Sequence, residues 1–190
     1  MQYVARNYEH LLGMEGFSDT LLKNHFTLYN GYVTNTNKAA EILAGLLAEG
    51  RTGPEYAEVR RRFGWEWNGM RLHEFYFDNL GGAGTSPGAG FAAAVAARWG
   101  SLDAWRREFL AIGAMRGIGW VVLYKDPVTG DLFNAWINEH DAGHAAGAAP
   151  LLVMDVFEHA FLTDYGLKRA DYLEAFWRNV NWNVVEARIQ

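Results

Sequence analysis

Residues 119–138, GWVVLYKDPVTGDLFNAWIN, decide the fold class. Two β-rich runs, GWVVLY and DLFNAWIN, flank DPVTGD. That segment is a turn by composition: Pro presets φ, Asp bonds its own backbone and Gly tolerates a left-handed conformation. The pair reads as two antiparallel strands. Downstream, APLLVMDV at 149–156 reads as a third strand or strand end, and 170–187 as a closing helix. Upstream, Phe91–Trp99 and Leu102–Met115 read as helices, with Ser101 the N-cap of the second. GGAGTSPGAG at 81–90 is a linker by composition. It has no Lys after its glycines and follows no strand, so it is not a phosphate loop.

The first part of the chain has a different texture. Residues 17 to about 80 read as helical, with Ser18 or Asp19 as the first cap. Leu21, Leu22, Leu28, Val33, Ile42 and Leu46 supply the apolar face of one long arm. Gly50 to Pro54 breaks it, and Glu55–Phe63 and Trp65–Leu80 resume helix around Gly64. The expected class is therefore α+β. An N-terminal long helical hairpin domain (1–84) precedes a C-terminal domain (85–190) of helices around a small three-stranded antiparallel sheet. There is no internal repeat.

Composition narrows the function. Half of the residues are hydrophobic, with 8 Trp, 9 Tyr and 11 Phe, which is enough for a packed core. The formal charge of -5 and the lack of a basic cluster argue against nucleic acid and anionic membranes as partners. The densest basic run, Arg60–Arg62, lies in EYAEVRRRF, an amphipathic stretch with acidic neighbours. No apolar run reaches membrane-span length. The start, MQYVARNYEHLLG, has neither a signal-peptide pattern nor an Arg-rich presequence, so a cytoplasmic protein is expected. With no cysteine, disulfides, thiolate zinc sites and Cys nucleophiles are excluded. The 6 histidines are unremarkable in number, and spacing alone leaves a metal site and satisfied core histidines both open.

Five stretches go further: LLKNHFTLYNGYVTNTN (21–37), LHEFYFDNLGG (72–82), GWVVL (119–123), MDVFEHAFLTDYG (154–166) and YLEAFWRNVNW (172–182). Together they resemble the iron/manganese superoxide dismutase family, over Tyr8 to Val185. The resemblance implies four metal ligands, His25, His73, Asp155 and His159, holding one Fe or Mn ion per chain. Three imidazoles and one carboxylate suit manganese, iron or zinc better than calcium or magnesium. It implies an antioxidant oxidoreductase that converts superoxide to dioxygen and hydrogen peroxide, as a homodimer or a tetramer. Tyr32 falls on the gateway tyrosine, Trp120 on the indole beside the metal, and Arg169 on a basic residue near the substrate funnel. Glu158 falls on the glutamate that crosses the dimer interface to a ligand histidine. The other readings are a metal-binding scaffold without turnover and a different metal-dependent oxidoreductase.

The departures are specific. His25 and Tyr32 are seven apart, two α-helical turns, where most of the family has eight. Eight residues on one face require a π-bulge, so this helix is expected to lack one. Leu28 and Leu162 stand where the family has a cross-subunit histidine–tyrosine pair. Phe157 stands where it has tryptophan, keeping an aromatic wall without its N–H. The glutamine that orients metal-bound solvent has two family positions, here Gly69 and His140; His140 is expected to take the role. His144 is expected in solvent, and His10, Tyr29, Tyr76 and Trp177 in packing roles.

Overall fold

The computed structural model describes residues 2–189. Helix α1 (Asp19–Ala48) begins where the Ser18 hydroxyl accepts the Leu21 N–H, a cap worth about 1 kcal/mol. It contains no π-helical turn, as the seven-residue spacing predicts. At its end Gly50 takes φ +67° and the Arg51 N–H returns to the Leu46 carbonyl, a Schellman closure. Helix α2 (Pro54–Asp78) starts with Pro in its first turn and packs antiparallel along α1. It runs unbroken through Gly64, where sequence suggested two pieces.

Helices α3 (Ala89–Trp99) and α4 (Leu102–Gly113) follow, the latter capped by the Ser101 hydroxyl on the Ala104 N–H. Strands β1 (Trp120–Lys125), β2 (Leu132–Ile137) and β3 (Ala149–Asp155) form an antiparallel sheet in the order β2-β1-β3. The central strand explains the unalternating run WVVLY, since these residues are all buried. Pro150 sits on an edge strand where the β1–β3 register shifts, and edge strands tolerate a missing N–H. Among the described residues the fold is thus α+β, a helical hairpin followed by helices around a three-stranded sheet, as the sequence implied. No helix there is long and apolar enough to cross a membrane.

One expected element is divided. Residues 170–187 are not one helix but α6 (Arg169–Arg178) and α7 (Trp182–Ile189), after a short α5 (Leu162–Tyr165). The break has a tertiary cause. The Gly82 N–H donates to the Asn179 carbonyl at 3.0 Å, and the Asn181 N–H to the Asn79 carbonyl at 2.7 Å. A Cβ at Gly82 would lie 2.2 Å from the Asn181 Cα, so only glycine permits this approach. The same segment reaches the sheet, since the Asn79 side chain accepts the Val153 N–H at 3.0 Å. The stretch after α2 is therefore fastened between the sheet and the last helices.

Candidate metal centre

Four elements meet at one point. His25 comes from α1, His73 from α2, Asp155 from the last position of β3 and His159 from a 3-10 turn at Glu158–Ala160. One donor atom from each lies within 4.8 Å of the others. Nε2 of His25 and Nε2 of His159 both sit 3.1 Å from Asp155 Oδ2, and Nε2 of His73 sits 3.7 Å from it. His25, His73 and Asp155 are buried, while the His159 side chain keeps 23% exposure.

The polypeptide aims Asp155 and His73. Asp155 Oδ1 accepts the Phe157 N–H at 2.8 Å, which leaves Oδ2 for the histidines. The Tyr172 hydroxyl donates to the Asp155 carbonyl at 2.6 Å and anchors the strand end. His73 Nδ1–H donates to the Gly69 carbonyl at 2.6 Å, so its Nε2 carries the free lone pair. That nitrogen is buried without a partner, and buried polar atoms are rarely left so. An orphan lone pair, two more imidazoles and a carboxylate oxygen within 4.8 Å fit a borderline divalent or trivalent ion; the four can hold one metal.

Electrostatics favour the ligating form of His25, His73 and Asp155. Burial lowers the pKa of His25, and Asp155 only partly offsets this. Burial and the His25 charge hold His73 well below its usual value. Burial would raise the Asp155 carboxyl, but the His159 charge and hydrogen bonds from His159 and His25 outweigh it and hold Asp155 well below its usual value. Neutral imidazoles beside a carboxylate are what a metal needs.

Beside the cluster lies a hydrogen-bonded rim. Trp120 is paired opposite Asp155 in the sheet, which sets its ring against His73 at 5.1 Å. Its N–H donates to His140 Nδ1 at 3.1 Å. In neutral His140 the proton is then on Nε2, which donates to the Tyr32 hydroxyl at 2.8 Å. The hydroxyl keeps its own proton to donate. Burial pushes Tyr32 up, with Asp155 and Glu66 adding to it, and burial pulls His140 down to about 4. Phe157 lies 4.7 Å from the His140 ring and 5.3 Å from His159, closing the wall.

Two glycines make this rim possible. A Cβ at Gly69 would fall 2.6 Å from Tyr32 Cδ1, so the missing side chain is the bed on which the tyrosine lies. Gly119 takes φ +134° with Ile137 O where its Cβ would be, and its carbonyl accepts the Val156 N–H. The His140 loop is tight: Glu139 adopts φ 56°, uncommon for a residue with a side chain. His144 is not loose in solvent as expected. It donates to the His140 carbonyl at 2.8 Å and contacts the Tyr124 hydroxyl at 3.0 Å, pinning the loop.

The remaining expected residues brace or surround the site; of these, Tyr76 packs on the His25 ring at 5.2 Å. Arg169 gives its terminal N–H groups to the carbonyls of Met115, Gly117 and Val156, bracing the loop before β1. Glu158 is exposed next to His159. Leu28 and Leu162 are 40% and 45% exposed, high for leucine. His10 is exposed, Tyr29 bonds Glu74 Oε1 at 3.0 Å, Tyr76 bonds Tyr172 at 3.2 Å, and Trp177 packs on Trp105 away from the cluster. Sequence reasoning missed Trp65, whose ring is 4.5 Å from His140 and 5.5 Å from Tyr32. Its position four before Gly69, one helical turn away, was the available signal.

A family model described as iron/manganese superoxide dismutases, C-terminal domain, matches residues 87–188. The superoxide dismutase [Fe] of Cupriavidus metallidurans is 36% identical over 180 residues, covering 92% of this chain and 89% of the relative. The superoxide dismutase [Fe] of Aquifex pyrophilus is 35% identical, covering 93% and 86%. The superoxide dismutase [Mn] 2 of Haloferax volcanii is 34% identical, covering 88% and 83%. Iron and manganese names thus occur at nearly equal similarity. With identity above 30% across most of both chains, and a cluster that can hold one metal ion, the chain belongs to the iron/manganese superoxide dismutase family.

Proposed function

We propose that this protein disproportionates superoxide to dioxygen and hydrogen peroxide, with one Fe or Mn ion held by His25, His73, Asp155 and His159. The observation that carries the reading is the unpartnered, buried Nε2 of His73 beside three other convergent donors. When bound, the ion supplies a one-electron couple that takes an electron from one superoxide and gives one to the next.

The chain's own residues supply the rest. Peroxide formation consumes two protons, and Tyr32 Oη, on a half-buried residue, is the rim's hydroxyl donor. His140 Nε2–H, 2.8 Å away, can restore the proton that Tyr32 gives up. Trp120 holds His140 in the tautomer that does this. Phe157, Trp120 and Trp65 keep bulk water from the cluster, and Asp155 offsets part of the cation's charge. The test is stopped-flow superoxide consumption by protein loaded separately with iron and with manganese. Catalysis by at least one loaded form is expected; none from either would overturn the reading.

The same reading includes a two-fold dimer and a cytoplasmic location, the latter testable by cell fractionation. His159 bonds only Asp155 among the described residues, so its second ring nitrogen is free to face a neighbour. Glu158 of one protomer would accept from the partner's His159 and raise its basicity as a ligand. Exposed Leu28 and Leu162 would supply an apolar contact in place of the polar pair the family resemblance leads one to expect. Glu158→Ala should then sediment as monomer and hold less metal. An unchanged dimer at full occupancy would remove Glu158 from the interface.

A further inference from the structure

Arg62 lies one helical turn before Glu66 on α2. Its Nε and a terminal N–H both reach Glu66 Oε1 at 2.8 Å, and its guanidinium covers the Trp65 ring at 3.8 Å. Trp65 in turn touches both rim residues, His140 at 4.5 Å and Tyr32 at 5.5 Å. The ion pair has a direction. The Glu66 side chain is 4% exposed and that of Arg62 is 55%, so the negative end is inside and the positive end faces water. As a stability device the pair is poor. Burial strips the Glu66 carboxylate of water, and its Oε2 is left with no partner at all. Its evident result is a guanidinium fixed in place.

We infer that Arg62 is the cation that draws the anionic substrate to the mouth of the site beside Tyr32 and Trp65. The inference rests on the superoxide reading above. A net charge of -5 repels superoxide at long range, so a local positive end must offset it near the opening. Arg169 is less available to the anion, because three of its five N–H donors are committed to backbone carbonyls. Arg62 keeps solvent-facing donors, and its charge acts on both Tyr32 and His140. The acidic groups acting on Tyr32 from other elements are Asp155 and Glu139, beside Glu66 on α2 itself. Among the described residues, Arg62 is the cation that acts on Tyr32 beside them.

The test compares metal-loaded wild type with Arg62→Gln, Arg62→Glu and Arg62→Lys. Two quantities are read per bound metal: the second-order rate of superoxide consumption against ionic strength, by pulse radiolysis, and azide affinity, by optical titration. At low salt Arg62→Gln should lower both by about threefold, and Arg62→Glu by more. Arg62→Lys should stay near wild type. The rate differences should close toward 1 M salt, where the Debye length is about 3 Å. An unchanged low-salt rate and azide affinity would overturn the assignment. So would an equal loss at every salt concentration, which marks a positional role, or a variant that cannot be loaded with metal. Wild type that fails to consume superoxide would overturn the underlying reading instead, and the azide titration would still decide Arg62.

Discussion

The inner cluster and the rim are built in opposite ways. His25, His73, Asp155 and His159 come from four elements distributed along the chain; backbone contacts aim His73 (to Gly69) and Asp155 (to Phe157), and His25 and His159 converge on Asp155 Oδ2. Tyr32, His140, Trp120 and Trp65 instead hold one another by side-chain bonds and ring contacts. The cluster keeps every residue type that the family resemblance called for. The rim differs at Gly69, His140 and Phe157. Atoms that must meet a metal tolerate little change, because one missing donor removes the site. A proton relay needs only a connected path, and a path can be rebuilt from different side chains.

That contrast predicts a graded series of losses. Asp155→Asn should have the largest effect. It removes the charge on which His25 and His159 converge, so metal content measured after dialysis should fall to background. Full metal retention would mean that the cluster is not held together as described.

Gly69→Ala strikes the rim first, since it keeps the backbone carbonyl that accepts from His73. Its Cβ would push into the Tyr32 ring, at a cost of roughly 1–3 kcal/mol. Metal content should stay near wild type while turnover falls about tenfold, because the Tyr32–His140 bond is displaced. Loss of metal in step with activity would erase the distinction between cluster and rim.

A third effect concerns the metal-free protein in acid. His25, His73 and His140 all have folded pKa values below the ordinary 6.5, so the unfolded chain binds more protons as pH falls below it. Stability should be full above about pH 6.5 and decline on acidification toward pH 4, the value to which burial takes His140. His140 contributes on the order of 3 kcal/mol of that decline. Urea unfolding of His140→Gln between pH 7 and pH 4.5 should therefore show a shallower loss than wild type. Parallel curves would mean that His140 does not titrate as a buried neutral ring.

The smallest effect is expected at the wall. Trp65→Phe keeps an aromatic face against His140 and should change turnover by less than about threefold, with metal content intact. A larger loss would make Trp65 part of the relay rather than a barrier.

Much of this was legible in the chain itself. WVVLY, DPVTGD and the caps at Ser18 and Ser101 act locally, through turn chemistry and capping, and they placed the sheet and helices. The seven-residue step from His25 to Tyr32 foretold an α-helix without a π-turn. The division of α6 from α7 was not legible. Residues 179–181 have no helix breaker, and their backbone is claimed by residues 79–82, about a hundred positions earlier. The roles of Gly69 and Trp65 were also hidden, because each is defined by a ring from another element. The convergence of His25, His73, Asp155 and His159 followed from family resemblance, since spacing alone cannot bring residues 130 apart together.

The most direct measurement is anomalous diffraction at the iron and manganese edges from crystals of metal-loaded protein. The account predicts one strong peak per chain, bonded to Nε2 of His25, His73 and His159 and to Oδ2 of Asp155. A peak elsewhere, or one that leaves His73 Nε2 unpartnered, would contradict it.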